Sequence, residues 1–193
     1  MSTKTAYLAF DYGASSGRLM LCRYDGQTID LEEIYRFPNE PVWMNGHFYW
    51  DFPRLFHEMK MGLKKAASLD VEIAGIGIDT WGVDYGYLDE DGRLISNPFC
   101  YRDPKNAIGM EEMDQVHPFK EFYEIAGLQK MDFNTAYQVY YDVRHRHYIL
   151  DCAKTFLFMP DLFAYFLTGR KACEYSIAST SQMLDARTRD WSD

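Results

Sequence analysis

Apolar and polar positions change in short runs at the start of the chain. Thr5–Phe10 (TAYLAF) is apolar and stops at Asp11-Tyr12-Gly13. Arg18–Tyr24 (RLMLCRY) is a second strand-like run. Asp25-Gly26 follows it, a hairpin turn signal, and Thr28–Phe37 then resumes with rough alternation. The pattern predicts a three-stranded antiparallel meander. Phe48-Tyr49-Trp50 adds a short strand. Asp51 is placed to cap a helix with Pro53 in its first turn. Phe52, Leu55, Phe56, Met59, Leu63 and Ala66 then recur at helical spacing, to about Ala67. Val71–Asp79 (VEIAGIGID) reads as a buried strand by its apolar character. Tyr85–Leu88 reads as another strand, ending in the turn Asp89-Glu90-Asp91-Gly92 before Arg93-Leu94-Ile95. Three strands, a helix and a strand is an α/β order.

The second half reads as mostly helical. Gly109–Val116, Pro118–Ala126 with Gly127 as C-cap, and Thr135–Cys152 fit helices. Asp161–Leu167 (DLFAYFL) fits another, closed by Thr168-Gly169. Glu174–Leu184 is rich in Ser and Thr and is ambiguous. The ending Arg189–Asp193 has neither tail composition nor a helix cap, so it reads as a cut inside a structured region. No internal repeat or low-complexity tract is visible.

Composition narrows the classes. Of 193 residues 47% are apolar, which supports a sizeable core and excludes intrinsic disorder. Twenty basic residues against 29 acidic ones give a net charge of −9. That charge argues against a nucleic-acid backbone or an anionic membrane as the main partner, while leaving room for a local nucleotide pocket. Cys22, Cys100, Cys152 and Cys173 lie far apart without a CxxC pair, as expected of reduced, mostly buried thiols in the cytoplasm. The start lacks a signal-peptide stretch, and no run of about 18 apolar residues occurs. Aromatics at 17% supply flat faces for a core or a ligand site.

Two segments carry candidate chemistry. Asp11-Tyr12-Gly13-Ala14-Ser15-Ser16-Gly17-Arg18 joins two predicted strands. Gly13 and Gly17 permit positive φ and close backbone approach, successive N–H groups in such a turn hold phosphate oxygens, and Ser15, Ser16 and Arg18 add donors. Asp11, at a strand's carboxyl end, suits Mg²⁺ held through water. Neither a Walker loop nor a GxGxxG is present, and a plain Gly/Ser hairpin looks similar. The second segment is Gly75-Ile76-Gly77-Ile78-Asp79-Thr80-Trp81-Gly82-Val83-Asp84, a strand running into a polar, aromatic loop. Ligands of open α/β sheets sit off such strand ends. Trp81 offers a flat face, Gly82 a close approach, and Asp79 and Asp84 acceptors for hydroxyls; a core Trp with turn-capping aspartates is the competing reading. Arg102 and Asp103 read as a surface pair, and Met159-Pro160-Asp161 as a helix entry. His145 and His147, at i and i+2, cannot share a metal on a helix. Ser179-Thr180-Ser181 has no neighbouring base of the kind a serine hydrolase needs.

DYGASSGR at 11–18, GIDTWGVD at 77–84, YRD at 101–103, DFNTAYQ at 132–138, MPDLFAYFLTG at 159–169 and EYSIASTSQMLD at 174–185 stand in the order of the N-terminal part of FGGY-type carbohydrate kinases, which this chain resembles over nearly its whole length. The phosphate loop is common to those kinases and to actin-like ATPases. DTWGVD and MPD…LTG are similar to the branch that acts on L-rhamnulose. The resemblance implies a ribonuclease H-like, actin-like α/β fold, a mixed sheet flanked by helices, with ATP and sugar between two domains. It implies Gly13, Ala14, Ser15, Ser16, Gly17 and Arg18 as an ATP-contact loop, Asp11 near Mg²⁺, and Gly82 as a sugar contact. Trp81, Tyr101, Phe133 and Asn134 stand at positions that line sugar pockets in related kinases. The implied reaction joins ATP and L-rhamnulose to give ADP and L-rhamnulose 1-phosphate. The family's catalytic aspartate and adenosine-binding glycines belong downstream of these residues. The chain 1–193 is therefore expected to be a truncated first domain without its catalytic base, inactive alone and weak toward ATP. A kinase for fuculose or xylulose, a non-catalytic actin-like nucleotide binder and a carbohydrate-binding module are the alternatives.

Overall fold

A computed structural model describes residues 5–192. In chain order its elements are β1 (Thr5–Tyr12), β2 (Ser16–Tyr24), β3 (Ile29–Pro38), β4 (Val42–Met44), β5 (His47–Tyr49), α1 (Phe52–Ala66), β6 (Ile73–Thr80) and β7 (Tyr85–Leu88). Then follow α2 (Lys105–Asp114), α3 (Phe119–Ala126), α4 (Thr135–His145), α5 (His147–Cys152), β8 (Thr155–Phe158), α6 (Met159–Thr168) and α7 (Tyr175–Ala178). A single 3₁₀ turn (Ser179–Ser181), β9 (Leu184–Asp185) and β10 (Asp190–Trp191) end the order. The chain divides into two units: one takes the residues up to Glu40 and Asp51–Trp81, the other Pro41–Trp50 and the residues from Gly82 onward.

The first unit holds a mixed sheet in the order β3-β2-β1-β6. β1, β2 and β3 form the expected antiparallel meander, and β6 lies parallel to β1. Alternation decides the inner face: Ala6, Leu8, Phe10 and Tyr12 on β1, Leu19 and Leu21 on β2, and Ile34 and Phe37 on β3 are buried. Helix α1 contributes Phe52, Leu55, Met59 and Ala66 to the buried set. Its start is as predicted, with the Asp51 carboxylate accepting the Arg54 N–H at 3.2 Å and Pro53 in the first turn. Strand β6 departs from expectation. No residue in it is buried: it forms the sheet edge, with Ile73 and Ile78 half-buried and Ile76 exposed.

The second unit is mostly helical, with three two-stranded antiparallel pairs, β4 with β5, β7 with β8 and β9 with β10. β4 and β5 are joined by Asn45-Gly46, both at positive φ (52° and 85°), the turn that suits a two-residue hairpin. β7 pairs antiparallel with β8. Tyr85, Tyr87, Ile149, Phe158, Ile177, Ala178 and Leu184 form one buried cluster. Gly127 and Gly169 end α3 and α6 in the left-handed region, as expected. The long helix expected over Thr135–Cys152 is two helices, broken at Arg146 (φ −134°, ψ 37°). There the guanidinium turns back to donate to the buried Asp142 at 2.9 Å and stacks over Phe99 at 4.4 Å. β4, β8, β9 and β10 have no counterpart in the sequence reading, and Arg93-Leu94-Ile95 forms only a single bridge from Leu94 to Leu88. No helix among the described residues is long and apolar enough to cross a membrane.

Candidate functional site

The first unit presents the Asp11–Arg18 segment as a tight turn at the end of β1. Gly13 N–H donates to the Ser16 carbonyl at 3.0 Å, leaving Gly13, Ala14 and Ser15 between the strands. The turn is braced by a residue the sequence reading missed. Asn39 is fully buried; its N–H donates to the Ser15 carbonyl at 3.0 Å and its Nδ2 to the Gly13 carbonyl at 2.8 Å. The glycines serve differently from expectation. Neither Gly13 nor Gly17 has a positive φ. A Cβ at Gly13 would lie 2.9 Å from the Ser16 carbonyl oxygen, and one at Gly17 would overlap the buried Phe37 ring. Gly17 is thus turned inward, and close packing explains both glycines. Ser15 is exposed, Ala14 and Ser16 half-buried, and Arg36 reaches the Ser16 hydroxyl at 3.4 Å.

Asp11 and Arg18 are paired across β1 and β2 and meet in a double contact, Nε and Nη2 each 2.7 Å from Oδ2. Asp11 is also opposite Asp79 in the parallel β1–β6 register, so these carboxylates stand side by side at the carboxyl ends of two strands. Oxygen donors so placed fit a hydrated divalent cation. Among the described residues no cluster of three or more His, Cys, Asp or Glu side chains is poised to ligate a metal directly.

The second unit, which takes the residues from Gly82 onward, holds the other candidates except Trp81, whose N–H donates to the Tyr12 carbonyl at 3.2 Å within the first unit. The Tyr101 and Phe133 rings meet edge to face at 5.9 Å, both half-buried. Asn134 is buried, and its Nδ2 donates to the Gln129 carbonyl (2.9 Å) and to Gln182 Oε1 (3.0 Å), so its amide nitrogen serves the fold. Gly82 lies against Thr180; a Cβ there would be 3.4 Å from the hydroxyl oxygen. Asp84 is not the hydroxyl acceptor that the sequence offered. It is fully buried and accepts from Trp50 Nε1 at 2.6 Å, the Tyr101 N–H at 2.9 Å and Gln138 Nε2 at 3.1 Å. Asp103 is likewise no surface pair of Arg102. It is buried and accepts from the Phe48 N–H (2.6 Å) and the Lys105 N–H (2.9 Å), with His47 Nδ1 at 3.0 Å. Arg102 instead lies over the Tyr101 ring at 5.1 Å.

A buried charge cluster underlies this unit. Asp142 accepts from the hydroxyls of Tyr85 (2.7 Å) and Tyr87 (3.2 Å) and from Arg146, and Lys105 Nζ stands 3.8 Å away. Burial lowers the Lys105 ammonium, against the opposing pull of Asp142, and burial raises both tyrosines. Burial also lifts the Asp161 carboxyl to about 6 and the Cys100 thiol to about 12. All four cysteines are free thiols, but only Cys100 is buried; Cys22 is half-buried and Cys152 and Cys173 are exposed, so the expectation of mostly buried thiols fails.

A sequence profile of the FGGY family of carbohydrate kinases, N-terminal domain, matches residues 6–193. The chain belongs to this family. Among curated relatives of this FGGY chain, a rhamnulokinase of Bacteroides thetaiotaomicron is 42% identical over 96% of the chain, and one of Enterococcus faecalis 39% over 97%. The chain spans 38% of the length of each. A gluconate kinase of Lactobacillus acidophilus has the same fold, with a TM-score of 0.87 at 14% identity over 98% of this chain and 38% of its own. The mixed sheet flanked by helices is thus the expected ribonuclease H-like, actin-like architecture.

Proposed function

We propose that this chain supplies the phosphate loop and much of the sugar pocket of an ATP-dependent kinase that phosphorylates L-rhamnulose at its primary hydroxyl. What carries the reading is the 42% identity, over 96% of the chain, to a relative named as a rhamnulokinase. The braced turn at Gly13 supports it: the Gly13 N–H is taken by the Ser16 carbonyl, and a backbone so held before a ligand arrives would keep the Ala14 and Ser15 N–H groups in place for a transferring phosphoryl group. In this reading Gly13–Ser16 and Arg18 meet the ATP phosphates, with Gly17 packed inward behind them, and Asp11, with Asp79 beside it, would hold Mg²⁺. Within the second unit, Gly82, Tyr101, Phe133 and Asn134 would face the ketose.

The sugar oxygen attacks the γ-phosphorus, the bond from phosphorus to the ADP oxygen breaks, and the hydroxyl proton passes to a base. Mg²⁺, when bound, offsets phosphate charge. The residues of this chain bind and orient: the Gly13 turn holds its N–H groups in place, Arg18 keeps Asp11 on the outer sheet face, and the Tyr101–Phe133 pair gives the sugar ring an apolar wall. The resemblance assigns the base to no residue here, so the chain alone is expected not to turn over.

The test is equilibrium titration of the 193-residue chain with L-rhamnulose, L-fuculose and D-xylulose, and separately with ATP. L-Rhamnulose should bind tightest. Gly82→Leu should weaken it about tenfold, about 1.4 kcal/mol, with ATP near unchanged; Arg18→Ala should act mainly on ATP. Preference for another ketose overturns the sugar assignment, and unchanged affinity in Gly82→Leu overturns the contact.

A further inference from the structure

Val83 carries a backbone that its side chain disfavours. Its φ is +67°, and across it the Asp84 N–H donates to the Gly82 carbonyl at 2.9 Å. A bond from residue i+2 to residue i around a positive φ is the rare, strained form of γ-turn, and a β-branched residue is an outlier there. Such strain persists only where the surroundings over-determine it, and it gathers at functional sites.

Here the surroundings do so with three side chains. Thr180 Oγ1 accepts the Val83 N–H at 3.2 Å and is itself fixed by donating to the Ile177 carbonyl at 2.8 Å. Thr135 Oγ1 donates to the Val83 carbonyl at 2.7 Å, and Gln138 Nε2 reaches the same oxygen at 3.4 Å. Thr180 also forms the wall against Gly82. A second buried non-glycine residue with positive φ, Gln182 (+65°), is tied to Asn134. Both strained positions are therefore held from the start of α4, beside Phe133.

We propose that Thr135, Gln138 and Thr180 are positioning residues, which hold Val83 in its strained turn and thereby fix the Gly82 backbone that meets the sugar. The inference rests on the reading of Gly82 as a sugar contact. It gives the Ser/Thr-rich segment a role in sugar binding with no contact to the sugar. Released from the clamp, Val83 relaxes toward negative φ and carries Gly82 away from its place.

The test uses the full chain, with amide hydrogen exchange read residue by residue and L-rhamnulose titrated by calorimetry. Thr180→Val should speed exchange at Val83 and Asp84 at least tenfold and weaken L-rhamnulose at least tenfold; Thr180→Ser, which keeps the hydroxyl, should restore both. Adding Val83→Gly to Thr180→Val should also restore affinity, because glycine takes the turn without a clamp, a rescue that a merely structural threonine does not predict. If Thr180→Val does not fold, Thr135→Ala carries the same expectations, with Thr135→Ser as its rescue. Unchanged exchange overturns the clamp, and faster exchange with unchanged affinity overturns the positioning role. If the unmodified chain binds no ketose, the sugar reading fails and the positioning role with it, while exchange still decides the clamp.

Discussion

Asp84 has no exposed surface, and three donors from Trp50, Tyr101 and Gln138 converge on its carboxylate. Its partners lie 34, 17 and 54 positions away in the chain, which is why the sequence offered it as an acceptor for a ligand instead. Removing an acceptor shared by three buried donors costs roughly 3–5 kcal/mol, since each donor left without a partner costs about 1–3 kcal/mol. Asp84→Ala should lose that much in urea unfolding; a loss below about 1 kcal/mol would falsify its role as a hub. Asp161 acts in the opposite sense. Burial lifts its carboxyl from 3.8 to about 6, against the lowering pull of the Glu174 N–H. The folded state therefore holds the proton more tightly. The stability this gives is fully present below pH 3.8 and is lost as pH rises through about 6. Relative to Asp161→Asn, the unmodified chain should lose of the order of 2 kcal/mol between pH 4 and pH 7. A difference between the two proteins that stays flat over that range sinks the assignment.

Legibility at the level of elements followed locality. Helix α1 was readable because its cap, its proline and its apolar period all lie within the segment itself, and the meander because Asp25-Gly26 marks its turn. β6 was misread: an apolar run says that a strand wants cover, not that the described residues supply it. β4 carried a usable signal in Asn45-Gly46 that went unread. The break at Arg146 had none, since its cause is a side chain drawn to Asp142 and Phe99. The pairing of α2 with α4 was equally hidden, although one residue permits its closeness. A Cβ at Gly109 would overlap the backbone carbonyl of Tyr137, with Tyr141 Cβ at 3.1 Å, and a backbone atom cannot swing aside. Gly109→Ala should therefore destabilise by about 1–3 kcal/mol, although alanine favours helices by up to about 1 kcal/mol. Thermal unfolding of this variant checks it, and a rise in Tm would show that the two helices can part without cost.

At the scale of the whole molecule, the net charge of −9 opposes an anionic nucleotide. The proposed phosphate loop does little to reverse it. Arg18 is held by Asp11, and Arg36 is held by Glu33 at 2.9 Å through Nε. Cation charge near the turn is thus largely matched by carboxylates, and Asp11 and Asp79 add further negative charge beside it. Backbone N–H groups can orient phosphate oxygens there, but they do not offset the repulsion. A divalent cation on the Asp11 side can, so in the proposed reading nucleotide binding is coupled to metal. ATP should then bind about tenfold tighter, about 1.4 kcal/mol, with excess Mg²⁺ than with excess EDTA. Asp11→Asn should shrink that ratio toward one, with amide shifts of Gly13 and Ser15 reporting on the same turn. Without Mg²⁺, added salt should strengthen ATP binding or leave it flat, because screening relieves repulsion; a basic patch would show the reverse. Equal ATP affinity with and without Mg²⁺, weakened by salt in both cases, would move the phosphate charge from a metal at Asp11 to Arg18 and Arg36.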